Sequence, residues 1–408
     1  MHPRVIHVQK HLFSGGKAAF RLHKAFLEAG IESQVLSLVG DMNDEEGMVS
    51  SGRKAWLRAK IDNKLEIFIT RKIKKNSGKF SYPVLGTDVS GFESVIKADI
   101  VYLNWVQGGF MNLSGYRSLA KTGKPVIIFM HDMWTITGGC HHSFSCDKYT
   151  ARCFKCPMFS GRTLVDWAAR GYEKKSKLYA DFDNLYFVSP SKWLHDCARQ
   201  SSLTKDKPVF HIPNIIDDTI FKPVNKEAAR QFLNIDPAVS VIAFGALSLT
   251  NPYKGWQELE KALKILSKNH GHDSLSVLIF GGGYDKTLAE SIPFKTTFLG
   301  YLKDEYSMAL AYNAADVFVA PSIADNLPTT VLECLSCGTP VAGFDVGGIP
   351  EMIDHKVTGY LAARNDPDDL AEGIEFCLNN RLKGKLLPDF HKRGIMKRHL
   401  DLMDNISW

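Results

Sequence analysis

The sequence predicts an α/β protein of two doubly wound domains, each a parallel sheet with helices on both faces. Three observations carry that expectation. The 408 residues suffice for two domains of similar size, each able to bury its own core. Short β-rich runs alternate with stretches of helical periodicity along most of the chain, the pattern of successive βαβ units. Runs such as Val126-Ile127-Ile128-Phe129-Met130 are apolar throughout, as strands covered on both faces are.

Taken in order, Arg4 to Val8 reads as the first strand and Ser14-Gly15-Gly16 as a turn. Lys17 to Ala29 reads as a helix, because Ala18, Ala19, Leu22, Ala25 and Phe26 recur at helical spacing and Gly30 stops it. Val35 to Val39, Asp99 to Leu103 and Pro125 to Met130 follow as strands, the last ending at His131. The pattern restarts around Lys205. Val209 to Ile212 is expected to open a second series, continued by strands at Val239 to Phe244, Leu275 to Phe280, Thr296 to Leu299, Asp316 to Ala320 and Pro340 to Phe344. Helices are expected at Lys254 to Asn269, Asp304 to Ala314, Thr329 to Cys337 and Asp368 to Leu378. The predicted domains are therefore 1–205 and 206–385, facing across a central cleft, with 386–408 as a helical tail returning toward the first. Ligands of such sheets lie at the carboxyl ends of the strands.

Hydrophobic content of 45%, charged content of 23% and a net charge of +6 are ordinary for a soluble globular protein, and exclude disorder, collagen-like repeats and a disulfide scaffold. No apolar run approaches the roughly 18 residues of a membrane span, and no apolar leader precedes the first strand, so a cytoplasmic protein is expected. The charge is unevenly spread. Residues 53–79 hold ten Lys or Arg against Asp62 and Glu66, a local balance of +8 that leaves the rest of the chain at −2. Basic charge interleaved with aromatics does not extend beyond this segment, so no nucleic-acid partner is expected.

Two glycine- or acid-bearing motifs stand at strand ends. Gly15-Gly16 suits either a plain tight turn or a ligand approaching the backbone at a helix start. Asp325-Asn326-Leu327-Pro328-Thr329-Thr330 leads to Glu333, two carboxylates flanking a helix start. The amides of Leu327 to Thr330 would favour a diphosphate and the carboxylates would accept sugar hydroxyls, as a nucleotide-sugar requires. The alternative is a capping Asp and a solvated helix Glu.

The stretch Ala315 to Leu361, ADVFVAPSIADNLPTTVLECLSCGTPVAGFDVGGIPEMIDHKVTGYL, resembles the C-terminal domain of retaining glycosyltransferases of the GT-B fold, family four. Ser189-Pro190-Ser191, Ile212-Pro213-Asn214 with Asp217, Lys254-Gly255, and Leu299-Gly300 leading to Tyr312 extend the resemblance over most of the chain. It implies two Rossmann-like domains, the first on the acceptor side and the second binding the nucleotide-sugar. By this resemblance Asp325, where the family usually has Glu, contacts hydroxyls of the transferred sugar. Glu333 contacts the ribose, and Asn326, Leu327, Pro328, Thr329 and Thr330 bind the diphosphate through their backbone. Lys254 is implied as the cation for the leaving diphosphate, Gly300-Tyr301 as the place where the base is read, and Gly15, Gly16 and Gly282 as further donor-side positions. His131 matches a histidine beside the reacting sugar; a lone strand-end histidine is otherwise structural. The family's arginine soon after Gly245 is absent, and Ala246 and Leu247 stand there. No catalytic metal or cofactor is implied.

Two further elements are local. Cys140, Cys146, Cys153 and Cys156, spaced C-x5-C-x6-C-x2-C within an insertion at 140–156, admit a structural zinc, free buried thiols or disulfides. Cys334 and Cys337 read as packing residues. In the basic segment Trp56, Leu57, Ile61, Leu65, Phe68 and Ile69 recur at helical spacing, so the helix either packs on its own domain or touches anionic lipid.

The expected activity is a retaining glycosyltransferase moving a sugar from a UDP- or GDP-sugar to a glycan or lipid-linked acceptor in bacterial surface polysaccharide synthesis, at the inner membrane face if the basic helix binds lipid. The alternatives are a catalytically weakened nucleotide-sugar-binding partner subunit and a non-hydrolysing nucleotide-sugar epimerase.

Overall fold

The computed structural model describes residues 2–12, 17–39, 46–74, 77–161, 164–249, 251–282 and 289–406. The chain forms two compact units, Met1–Ile215 with Ile395–Trp408, and Ile216–Gly394.

The first unit is built on a seven-stranded sheet of β1 (Val5–His11), β2 (Ser33–Val39), β3 (Met48–Ser50), β4 (Ile100–Leu103), β5 (Val126–Phe129), β6 (Leu185–Ser189) and β7 (Val209–His211), in the order β3-β2-β1-β4-β5-β6-β7. All its pairings are parallel. Alternation along the strands sends Val5, Ile100, Tyr102, Ile127 and Phe129 into one apolar layer and Ile6, Val8, Val101, Leu103 and Ile128 into the other. Leu22, Ala25 and Phe26 of the helix Lys17–Glu28 cover the first layer, together with Ile395, Leu402 and Met403 of the C-terminal helix Lys392–Asn405. His399 of that helix reaches the Tyr102 hydroxyl at 3.2 Å.

The second unit has a six-stranded parallel sheet of β8 (Ser240–Ser248), β9 (Leu275–Gly282), β10 (Lys295–Phe298), β11 (Val317–Ala320), β12 (Val341–Phe344) and β13 (Gly359–Ala362), in the order β10-β9-β8-β11-β12-β13. Helices Trp256–Leu266, Glu305–Ala314, Thr329–Ser336 and Pro367–Asn379 contribute Leu259, Leu263, Ala311, Tyr312, Leu332, Leu335 and Ile374 to one core. Each sheet reverses its direction of growth once, between β1 and β4 and between β8 and β11. Those two crevices are where a doubly wound sheet binds ligands.

Three expectations are corrected. Val209–His211 does not open the second sheet: it pairs with β6 through Phe187↔Val209, and Ile212 and Ile215 bury in the first core, which moves the boundary from 205 to Ile215. The second unit extends to Gly394, so the tail that joins the first unit begins at Ile395 and not at 386. Lys254 lies in the short turn Pro252–Lys254, and the helix starts only at Trp256, because Gly255 takes a left-handed conformation at φ 72°. β3, β6 and β13 add to the strands that periodicity predicts. Among the described residues no helix is long and apolar enough to cross a membrane.

Candidate functional site

Lys254 follows β8 and Asp325 follows β11, the two strands that flank the second unit's crevice. Backbone close packing brings them together. A Cβ on Gly255 would stand 1.7 Å from the Pro321 carbonyl oxygen, and the Ile323 N–H donates to the Tyr253 carbonyl at 2.9 Å, tying the lysine's turn to the loop after β11. From the far side Gly347, at φ 57°, lies so close to Asp325 that a Cβ would be 1.7 Å from its carbonyl oxygen. Only glycine permits that conformation and that approach together.

The Lys254 ammonium donates to Asp325 Oδ2 at 2.6 Å. Asp325 Oδ1 accepts the Asn326 N–H at 3.0 Å, and Ser322 Oγ lies 3.3 Å from Oδ2. Burial works against the lysine's charge, but the Asp325 carboxylate outweighs it and leaves the pKa of Lys254 raised, so the ammonium stays charged. Asn326 and Leu327 are buried, and the helix Thr329–Ser336 begins after Pro328 with no side-chain cap on its first turn. An uncapped helix start presents orphan amides and the positive end of the dipole, both favourable to an anion.

Glu333 is only 2% exposed, and its Oε2 accepts the Tyr312 hydroxyl at 2.8 Å. Burial, then the Glu333 charge, push the Tyr312 phenol well above its ordinary pKa, which keeps it a hydrogen-bond donor. The two motif carboxylates therefore differ in kind, one paired with a cation and one with a phenol. Gly282 ends β9 and Tyr301 follows β10; the Gly281 N–H donates to the Gly300 carbonyl at 2.8 Å, which sets the two strand ends side by side with Tyr301 exposed. Leu247 is 57% exposed where the family arginine is missing, beside buried Ala246. Gly15 and Gly16 lie outside the described residues.

In the first unit His131 follows β5, and its Nε2 is 3.2 Å from Asn104 Oδ1. Burial pushes its pKa down to about 4 against the opposing charge of Asp132, so the ring is neutral near pH 7. With Asn104, Phe129 and His399 it lines a void of about 10 Å³, roughly what one water molecule requires. Asp132, which no sequence signal singles out, is the hub of a larger network. Its Oδ1 accepts the Trp134 N–H at 2.8 Å; its Oδ2 accepts Trp105 Nε1 at 3.1 Å and pairs with His141 Nδ1 at 2.6 Å. His141 Nε2 is 3.0 Å from Ser81 Oγ, which donates to Glu66 Oε1 at 2.8 Å. Burial favours the neutral acid, but His141 and the Trp134 amide hold Asp132 well below the usual carboxylate range.

Cys140, Cys146, Cys153 and Cys156 are free thiols, and among the described residues no three or more His, Cys, Asp or Glu side chains are gathered as a metal site needs. Cys140 and Cys153 pack with Ile69, Phe80, Tyr82 and Met158, and burial, reinforced by the neighbouring Cys156, pushes the Cys140 thiol up to about 12. Cys334 and Cys337 are both buried. The basic helix Gly52–Thr70 turns Ala55, Ala59, Asp62, Glu66 and Ile69 inward; of the apolar stripe only Ile69 is buried, and Trp56, Leu57, Ile61, Leu65 and Phe68 are exposed.

The profile of the family described as "Glycosyl transferases group 1" matches residues 238–380. A D-inositol 3-phosphate glycosyltransferase of Mycobacterium sp. (strain KMS) is 30% identical over 175 residues, 40% of this chain and 38% of that protein. The chain spans little more than a third of the length of the curated relatives it matches first. Among solved structures, Anabaena HepE in complex with UDP and glucose aligns over 99% of this chain and 100% of its own, with a TM-score of 0.65 at 14% identity. WaaG, a glycosyltransferase involved in lipopolysaccharide biosynthesis, aligns over 99% and 96%, with a TM-score of 0.61 at 14% identity. Residues 238–380 of the second unit are thus similar to the glycosyl transferases group 1 family, in a chain whose two parallel sheets have the GT-B fold.

Proposed function

We propose that the chain is a retaining glycosyltransferase that moves a sugar from a nucleotide-diphosphate donor, a UDP- or GDP-sugar, to a glycan or lipid-linked acceptor in bacterial surface polysaccharide synthesis. The observation that carries this reading is the Lys254–Asp325 pair beside an uncapped helix start, at the crevice of a sheet similar to the group 1 family. A diphosphate on the Thr329 and Thr330 amides would draw the Lys254 ammonium toward the leaving group and free Asp325 to accept a sugar hydroxyl. The complexes of HepE with UDP and with UDP-glucose support a donor of this class.

In the proposed reaction the acceptor hydroxyl attacks the anomeric carbon on the face the diphosphate leaves, and a departing phosphate oxygen takes the hydroxyl proton. Lys254 and the helix amides meet the charge that develops on the diphosphate, which makes them most effective as the bond breaks. His131, neutral at working pH, is suited to hydrogen-bond a hydroxyl of the reacting sugar and not to supply a charge. The exposed Leu247 at the arginine position favours a second reading, a nucleotide-sugar-binding partner subunit with little transfer activity. Incubation of the full chain with donor and a polysaccharide-precursor extract distinguishes the two. The transferase reading expects free UDP or GDP, a product with the donor's anomeric configuration by NMR, and turnover at least tenfold lower in Lys254→Ala. Donor binding with no nucleotide release supports the partner subunit, and an inverted anomer overturns retention.

A further inference from the structure

The helix Gly52–Thr70 has two unlike faces. Inward it presents small residues and both of its acids: Asp62 is fully buried, its Oδ1 accepting the Val84 and Leu85 N–H groups at 2.8 and 2.6 Å, and Glu66 is bonded to Ser81. Outward, Trp56, Leu57, Ile61, Leu65, Ile67 and Phe68 are all exposed, from 38% at Leu65 to 69% at Ile67. Every exposed charged side chain among them is a cation: Arg53, Lys54, Arg58, Lys60 and Lys64, with Arg71 and Lys72 just beyond. The Lys60 ammonium stands 3.7 Å from the Trp56 ring centre and the Arg71 guanidinium 4.1 Å from that of Phe68, so cations and aromatics share one surface.

A helix exposed only for solubility would carry both signs of charge and few large apolar side chains. Here the acids are all turned into the protein, which leaves a surface that is apolar and positive at once. We propose that this face docks on an anionic lipid bilayer, with Trp56, Leu57, Ile61, Leu65 and Phe68 entering the headgroup boundary and the surrounding Lys and Arg meeting lipid phosphates. Charge complementarity selects this occupant, because a second copy of the chain would set two cationic faces against each other. The inward face leads from Glu66 through Ser81 and His141 to Asp132, next to His131, so the docked helix would hold the histidine-bearing loop of the first unit at the lipid surface. That last step deepens the transferase reading by placing its acceptor at the membrane; the docking itself does not depend on that reading.

The test is co-sedimentation of the full chain with vesicles of phosphatidylcholine alone and with 30% phosphatidylglycerol, at low and high salt. Binding is expected to the anionic vesicles only, falling at least tenfold as salt rises. The double variant Leu57→Ser with Phe68→Ser should lose at least tenfold of the low-salt partitioning with an unchanged melting temperature, since both side chains are exposed. Lys60→Gln with Lys64→Gln should lessen binding and flatten its salt dependence. No sedimentation at low salt, equal binding to neutral vesicles, or a double variant that binds as well as wild type overturns the proposal. So does dimerisation abolished by the double variant in the absence of vesicle binding, which would assign the face to a second copy. If vesicles bind but no nucleotide is released, the docking stands and the transferase reading falls.

Discussion

Tyr312 is the residue on which the second unit's buried acid depends. Its hydroxyl is a donor to Glu333 within the core, and removing it takes a hydrogen bond from a carboxylate that stays buried. Tyr312→Phe is expected to destabilise the chain by about 1–3 kcal/mol, the cost of taking a hydrogen bond from a buried acceptor. A urea midpoint lowered at unchanged m value would show it, and an unshifted midpoint would mean that the phenol contributes nothing to Glu333. Lys254, Asp325 and Glu333 are visible in the sequence through the family resemblance, whose acid, seven residues and glutamate Asp325 and Glu333 match; without it the pair reads equally as a capping Asp and a solvated helix Glu. Tyr312 is not visible in that way, since an aromatic at helical spacing reads as core, and its bond to an acid 21 residues on exists only in three dimensions. Asp132 escapes notice for a related reason: its partners Trp105 and His141 come from separate loops.

At the scale of elements, the strands and helices of the second unit are legible almost throughout, because buried parallel strands are apolar runs and the helices between them carry clear periodicity. β7 is assigned to the wrong sheet by sequence because a three-residue edge strand carries no mark of which neighbour it will pair with; the register Phe187↔Val209 decides it. The helix Gly52–Thr70 is recognisable as cationic, but its orientation is not. Ala55, Ala59, Asp62, Glu66 and Ile69 are themselves at helical spacing, so a small, acidic stripe competes with the large apolar one for the inward face. Close packing and the Val84 and Leu85 amides satisfied by Asp62 settle the competition in favour of the acids. The cysteines carry a spacing that suits a metal, and nothing in the sequence signals that two of the thiols also pack against Phe80, Tyr82 and Met158.

For the whole molecule, the two units respond differently as pH falls. His7, His131, His211 and His399 all belong to the first unit, and burial lowers each, to about 4 at His131 and His211, to about 3 at His399 and well below the ordinary value at His7. The unfolded chain takes up these protons near pH 6.5 and the folded chain does not, so their contribution is complete above ~6.5 and is lost as pH falls toward 4. Asp217 and Asp316 of the second unit are lowered instead, and their contribution is lost only below the unfolded carboxylate value near ~3.9. Hydrogen exchange, corrected for intrinsic rates, should therefore find Val101 and Ile127 losing protection between pH 7 and 5 while Val241 and Val319 keep theirs; parallel loss would contradict this. The central claim, that the crevice between β8 and β11 binds a nucleotide-sugar, is tested most directly by calorimetric titration of UDP- and GDP-sugars into the wild-type chain and the Glu333→Gln variant. Saturable binding of a nucleotide-sugar is predicted, weakened by roughly 1.5–3 kcal/mol when the carboxylate charge is removed. Absence of binding by every donor, or an affinity unchanged by Glu333→Gln, would contradict it.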